Sequence, residues 1–278
     1  MSKIRVTAIQ RGCVYDGPGV RTTIFLKGCS LHCPWCCNPE SISFAPEWFI
    51  DDSRCLRNRG MDSILCGSCI RNGGYNGIAE CPVGVARPSY EDIDDITLFD
   101  RIYKDKDLYG NDGGVTFSGG EPLSHTQDII PVLRLCVDHH INIAFETTLY
   151  VSPHNVNEVI PYTKLMIVDL KLQPEMSSVR DYVERMKENI YLLKNSSVQV
   201  LYRMVFVNSM YEERAKIFEI LRSLEVKKIE LLKCHNLGAL KYKKLKKLNC
   251  DYTADDGKMD SFVSFLNNKN ISVSLLKT

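Results

Sequence analysis

The sequence predicts an α/β fold, a parallel sheet built from βαβ units with a small cysteine-rich insert. Three observations predict it. After residue 90, short β-branched stretches alternate with segments of about a dozen residues that read as helices. The chain has 278 residues, 44% hydrophobic and 25% charged, which suits one large globular domain or a domain with an insert. Residues 51–90 break the alternation: they are polar, Gly-rich and almost free of apolar periodicity.

Taken in order, "IRVTAIQ" and "RTTIFLK" read as two N-terminal strands flanking the Gly/Pro turn "DGPG". Forty residues without a core, 51–90, make an odd loop, so a metal-stapled insert is expected there. A helix over 94–109 leads to a strand at 114–117 that runs into a Gly pair. Helices at 125–139 and 153–161 precede strands at 141–146 and 164–169. Helices at 178–194 and 211–223 precede strands at 198–206 and 227–232. A helix at 257–268 precedes the closing strand "ISVSLL". The count suits a partial or full (β/α) barrel better than an open doubly wound sheet; the pattern alone does not choose.

Net charge is +1, so no overall field points to nucleic acid or an anionic membrane as partner. No apolar run approaches the roughly 18 residues of a bilayer span. The opening "MSKIRVTAIQRG" lacks the apolar core of a signal peptide, so the expected location is the cytoplasm. The 12 cysteines are then not expected to form structural disulfides. Seven fall into two groups with ligand-like spacing; the others are Cys13, Cys37, Cys136, Cys234 and Cys250. Cys136, on the apolar face of a helix, reads as a small buried hydrophobe.

The first group is Cys29-x3-Cys33-x2-Cys36, in "FLKGCSLHCPWCCNPES". Structural zinc wants four closed tetrahedral ligands, commonly two C-x2-C-like pairs. Cys37 as fourth ligand would start beside Cys36, an awkward chelate. Three thiolates in one loop can instead hold three corners of an iron–sulfur cube, leaving one iron open.

With Trp35 just before the last cysteine, this spacing resembles the radical SAM superfamily motif. The resemblance implies a 4Fe–4S cluster whose open iron binds S-adenosylmethionine (SAM), which is cleaved reductively to a 5′-deoxyadenosyl radical. It narrows further. "DGPGVRTTIFLKGCSLHCPWCCNPES", "GGVTFSGGEPL", "VDLK" and "KIELLKCHNLGALKY" are similar, in order, to the glycyl radical enzyme activating enzymes. With this resemblance the core reads as a partial (β/α)6-type TIM barrel from residues 1–50 and 91–278, with 51–90 as a ferredoxin-like insert.

The resemblance implies roles for further residues. Ser118, Gly119, Gly120 and Glu121 follow a strand and would accept hydrogen bonds from the SAM ammonium; the alternative is an ordinary β-to-α turn. Asp169, Leu170 and Lys171 are assigned to SAM binding; an Asp–Lys pair at a barrel rim is the alternative. Arg203 would suit a bidentate clamp on the SAM carboxylate, or else points to solvent. His235 matches a histidine near the adenosyl group. Trp35, Cys37 and Asn38 adjoin the cluster loop, and an Asx-turn is the plain reading of Asn38. Asp16 and Arg21 would line the opening that receives a target peptide. The lysine run Lys241 to Leu248 reads as a solvated face, or as a patch that docks an acidic partner.

The second group, Cys55, Cys66, Cys69 and Cys81, resembles a ferredoxin-type set able to ligate one auxiliary 4Fe–4S cluster. Its gaps depart from the tight ferredoxin run, and zinc stays open. Other departures stand out. Glu146 and Thr147 take the first two places of an Asp-Thr-x-Gly stretch, but Leu149 replaces the glycine. Cys37 stands where the best-known member has histidine.

The expected function is a SAM-dependent activase that abstracts hydrogen from a glycine Cα of a partner glycyl radical enzyme. A flavodoxin- or ferredoxin-type reductant is the implied electron donor. Two rivals remain: a radical SAM enzyme acting on a small molecule or other peptide, and a non-catalytic iron–sulfur or zinc protein.

Overall fold

The computed structural model describes residues 3–61, 81, 83–176, 179 and 181–276. Cys66 and Cys69 lie outside them. Strands β1 (Ile4–Cys13) and β2 (Arg21–Leu26) form an antiparallel pair. The short strands β3 (Trp48–Ile50) and β4 (Ala86–Pro88) form a separate antiparallel ribbon. β5 (Glu91–Ile93) returns to pair with β1. The sequence pattern missed these three strands because three residues carry no periodicity. The ribbon brings the two ends of the 51–85 segment together, and the Arg87 guanidinium sits 4.9 Å from the Phe49 ring centroid.

From there the alternation proceeds as the pattern predicts. Helix α1 (Asp95–Tyr103) is capped by Asp94, whose carboxylate accepts from Thr97 N at 2.8 Å. The expected single helix over 94–109 breaks, and α2 (Lys106–Tyr109) follows. The break turns the Asp105 carboxylate inward, where it accepts from Thr22 Oγ1 at 2.7 Å. Next come β6 (Gly114–Gly119), α3 (Thr126–Asp138), β7 (Asn142–Thr147), α4 (Pro153–Val159) and β8 (Leu165–Asp169). Then follow α5 (Tyr182–Lys194), β9 (Gln199–Phe206), α6 (Ser209–Glu212), α7 (Arg214–Ser223) and β10 (Lys228–Lys233). The chain closes with α8 (Ala239–Lys244), α9 (Asp256–Asn268) and β11 (Ser272–Leu276).

These strands make one nine-stranded sheet in the order β11-β10-β9-β8-β7-β6-β2-β1-β5. From β2 to β11 all neighbours are parallel, and the order rises one strand at a time with no reversal. The result is a mixed α/β fold around a large parallel sheet, consistent with a partial barrel rather than a doubly wound sheet. Alternation along each strand divides the two faces. Ile24, Phe117, Phe145, Val168, Phe206 and Leu231 lie fully buried with the inward residues of the helices. The opposite face carries Thr23, Thr116, Ser118, Glu146, Asp169, Arg203 and Glu230, above a small apolar cluster of Ala144, Leu165 and Ile167. Among the described residues no helix is long and apolar enough to cross a membrane.

Candidate functional site

The cysteine loop leaves β2 at its C-terminal end, on the polar face of the sheet. Leu31 and Trp35, 2% and 7% exposed, anchor it in the core, and Trp35 meets Tyr252 edge-on at 5.8 Å. Those two anchors leave Cys29, Cys33 and Cys36 half-buried on the same short loop. Cys36 N donates to Cys33 O at 3.1 Å, closing a turn, and Leu31 N donates to Cys29 Sγ at 3.4 Å. Burial pushes the Cys29 thiol up to about 12, and raises Cys33 and Cys36 as well. On all three the Lys171 ammonium acts in the opposite sense. Bound iron would hold these thiols as thiolates. Among the described residues no three Cys, His, Asp or Glu side chains converge on one point as a single ion would need. The donor set is three half-buried thiols on one short loop, which fits a 4Fe–4S cluster held by Cys29, Cys33 and Cys36.

Lys171 pairs with Asp169 and donates its backbone N–H to Tyr182 Oη at 2.9 Å. Burial alone would lower the Lys171 pKa; Asp169 and Cys33 outweigh it and raise it. The second Asp169 oxygen, Oδ1, is buried without a partner among the described residues. Leu170, between them, turns its fully buried side chain into the core and donates its backbone N–H to Arg203 O at 2.8 Å.

Gly119 and Gly120 also serve a close approach of backbone to backbone. A Cβ on Gly119 would collide with Leu26 N, and one on Gly120 with Gly28 O. Two glycines are required because the end of β6 presses directly on the start of the cysteine loop. Glu121, 1% exposed, is expected to face SAM, but it is consumed internally. Its oxygens accept from Thr147 Oγ1 at 2.7 Å, Thr148 Oγ1 at 2.7 Å, Thr148 N at 2.9 Å and Leu123 N at 3.1 Å. The same bond occupies Thr147, so this pair staples the ends of β6 and β7 together. Burial raises the Glu121 pKa.

Ser118 Oγ donates to Glu146 Oε2 at 2.7 Å, and Arg203 Nη1 donates to Glu146 Oε1 at 2.9 Å. Arg203, 4% exposed, also donates to Glu230 Oε2 at 2.9 and 3.2 Å and to Tyr15 O at 2.6 Å. It is therefore neither solvent-facing nor a free clamp. It ties three strands and the β1–β2 turn across the polar face. Burial alone would raise the Glu146 pKa; the Arg203 charge wins and lowers it.

Arg21 is a further correction. It begins β2, about 17 Å of strand away from the cysteine loop. At 2% exposed it is saturated by Thr116 Oγ1 at 2.6 Å, Val115 O at 2.8 Å, and Pro18 O and Asp112 O at 3.2 Å. It fastens the opposite end of the sheet and lines no opening. Asp16 stays half-buried in the same turn, accepting from Thr23 Oγ1 at 2.5 Å.

His235 follows β10 and, with Asn236 and Tyr242, faces Trp35, Cys36 and Cys37 across a pocket beside the loop. Cys37 is exposed there. The lysine run is no free face. Lys241 Nζ donates to Asn38 Oδ1 at 2.8 Å and Glu40 Oε1 at 2.6 Å. Lys247 Nζ donates to Pro39 O at 3.0 Å, and Lys246 pairs with Asp52. Of the insert cysteines, Cys55 is buried and Cys81 half-buried.

The sequence reading missed Glu230, Tyr182 and Glu40, and named Lys241 only as the start of the lysine run. Glu230 had a signal: a lone carboxylate at an alternate position of "KIELL". The others are set by tertiary packing.

Comparison with known proteins places the chain in a family. The family model described as a 4Fe–4S single cluster domain matches residues 15–152. Pyruvate formate-lyase 2-activating enzyme of Escherichia coli (strain K12) is 31% identical over 254 residues, spanning 87% of this chain and 81% of that protein. 4-Hydroxyphenylacetate decarboxylase activating enzyme of Clostridium scatologenes is 29% identical over 271 residues, spanning 86% of this chain and 85% of the other. Trans-4-hydroxy-L-proline dehydratase activating enzyme of Clostridioides difficile is 28% identical over 265 residues, covering 87% and 88%. In fold, the chain resembles native anSMEcpe with bound AdoMet, with a TM-score of 0.54 at 12% identity over 89% of this chain and 61% of that one. With relatives of this identity and coverage, the chain belongs to the radical SAM family of glycyl radical enzyme activating enzymes.

Proposed function

We propose that this chain is an activase that cleaves SAM reductively to a 5′-deoxyadenosyl radical and removes hydrogen from one glycine Cα of a partner glycyl radical enzyme. The observation that carries it is the loop of Cys29, Cys33 and Cys36, anchored by Leu31 and Trp35 and closed by a turn. When bound there, a 4Fe–4S cluster with one open iron supplies the electron that breaks the sulfonium C–S bond.

The chain's own residues bind, orient and exclude water. Cys29, Cys33 and Cys36 would hold the cluster. Lys171 offsets their negative charge and, with Asp169, offers both signs of charge to an amino-acid head group. The free Asp169 oxygen and the backbone of Ser118 to Gly120 are the acceptors for its ammonium. His235, which lines the pocket beside the loop with Trp35, Cys36 and Cys37, is the candidate for the adenosyl side. Glu121 and Thr147 hold these strand ends in place, and Arg203 holds Glu146 ionised. Asp16 remains the candidate for the target-peptide side.

In this reading the core is a partial (β/α)6-type barrel of residues 1–50 and 91–278, and 51–90 is the ferredoxin-like insert. Cys55, Cys66, Cys69 and Cys81 would hold a second 4Fe–4S cluster that relays electrons from a flavodoxin- or ferredoxin-type protein in the cytoplasm. Anaerobic reconstitution tests the proposal. Reduced protein is expected to release 5′-deoxyadenosine from SAM, Cys33→Ala is expected to abolish release, and a partner encoded nearby is expected to gain a glycyl doublet by EPR. Release that survives Cys33→Ala, or no release from iron-loaded wild type, would overturn it.

A further inference from the structure

Immediately after Cys36 and Cys37 the chain runs through Asn38 to Ser41, and this segment is gripped from outside. Helix α8 packs on the 3-10 turn Pro39–Ser41 and on β3. Gly238, just before it, lies against the loop itself: a Cβ there would stand 3.1 Å from Cys37 O and 3.4 Å from Cys36 O. Three ammonium groups then converge. Lys241 holds Asn38 and Glu40 by their side chains. Lys27 donates to Glu40 O at 2.7 Å and Lys247 to Pro39 O at 3.0 Å. Lys27 and Lys247 share Glu47, at 2.9 and 2.6 Å. Glu40 is 5% exposed, with Lys241 on one oxygen and no partner for the other among the described residues. Three cations thus meet two carboxylates, leaving one positive charge on the segment that continues the cysteine loop.

We propose that Lys241 is a positioning residue for the radical chemistry: it acts through Asn38 and Glu40 to fix the loop at Cys36, and its charge favours the reduced cluster. The charge effect follows from electrostatics, because a reduced cluster carries one more negative charge and a fixed nearby cation lowers its energy. The inference rests on the activase reading, since it assigns the cluster to Cys29, Cys33 and Cys36.

The test uses the full-length, anaerobically reconstituted protein. Lys241→Met is expected to slow SAM cleavage about tenfold and to shift the cluster's redox equilibrium about tenfold toward the oxidised form, a fall of about 59 mV in midpoint. The EPR signal of the reduced, SAM-bound cluster is expected to broaden. Lys241→Arg, which keeps charge and donors, is expected to restore both. Lys243→Met, on the exposed side of the same helix, is expected to leave them unchanged. A Lys241→Met protein with wild-type midpoint and EPR line shape would overturn the inference. Should that variant fail to fold around a lone Glu40, Glu40→Gln/Lys241→Met removes the stranded charge while still releasing Asn38. It is expected to retain iron and cleave slowly; cleavage at the wild-type rate would equally overturn the proposal. Wild-type protein that cleaves no SAM would count against the activase reading instead, and the midpoint titration is independent of that outcome.

Discussion

Arg203 and Glu230 stand as direct partners on β9 and β10, and the guanidinium places Nε and Nη2 on one carboxylate oxygen at 3.2 and 2.9 Å. A second carboxylate, Glu146, takes Nη1 at 2.9 Å. Removing the cation would leave two part-buried carboxylates facing each other. Arg203→Met is therefore expected to destabilise the apoprotein by about 3 kcal/mol or more. The midpoint of urea denaturation checks this, and a loss under about 1 kcal/mol would show the network to be solvent-screened.

The same network sets a pH dependence. Glu146 has its pKa lowered below the ordinary 4.5 because Arg203 outweighs burial. A depressed carboxylate contributes stability above its unfolded value and loses it as pH falls through the folded value. The apoprotein is expected to lose stability below pH 4.5 on this account, and Glu146→Gln is expected to flatten that part of the curve. Equal acid slopes for wild type and variant in urea melts would contradict it.

Leu149 occupies a left-handed conformation, φ 56°, and is fully buried. Its N–H bonds to Thr147 Oγ1 at 3.0 Å and its carbonyl accepts from Asn189 Nδ2 at 2.9 Å, which fixes the backbone there. Both Leu149→Ala and Leu149→Gly lose the buried side chain. Only glycine escapes the left-handed penalty, about 1–2 kcal/mol. Leu149→Gly is expected to be the more stable of the two by about 1 kcal/mol in chemical denaturation, the reverse of the order in an ordinary helix or strand. An alanine variant equal to or better than glycine would rule the strain out.

Gly120 lies against Gly28 O and Ser41 O, with no space for a methyl group. Gly120→Ala is expected to push the end of β6 off the cysteine loop. Iron retained per chain after gel filtration should fall severalfold, well beyond any change at Gly12, where a Cβ meets nothing within 4 Å. Equal iron in both alanine variants would contradict the close packing.

Much of the frame was legible in the sequence because strand and helix periods differ. "INIAFE" and "VQVLYRMVF" announce strands through β-branched and aromatic residues, and β7 and β9 form there. The cysteine triad was legible because its residues are close together in sequence. What was not legible depends on register between distant strands. Nothing local says that Arg203 meets Glu230 and Glu146, or that Glu121 turns inward to Thr147 and Thr148. Arg21 was misplaced because nearness in sequence to the cysteine loop hid a full strand's length between them. The lysine run was read as a solvated face or a docking patch because a six-residue helix does not disclose which neighbour it covers.

The most direct measurement is a Mössbauer titration of 57Fe-reconstituted Cys55→Ser/Cys81→Ser protein, in which the insert can contribute no complete four-cysteine set. Addition of SAM is expected to change the isomer shift of one iron in four, and Cys33→Ala in that background is expected to remove the responding cluster. A spectrum untouched by SAM would contradict the open iron held by Cys29, Cys33 and Cys36.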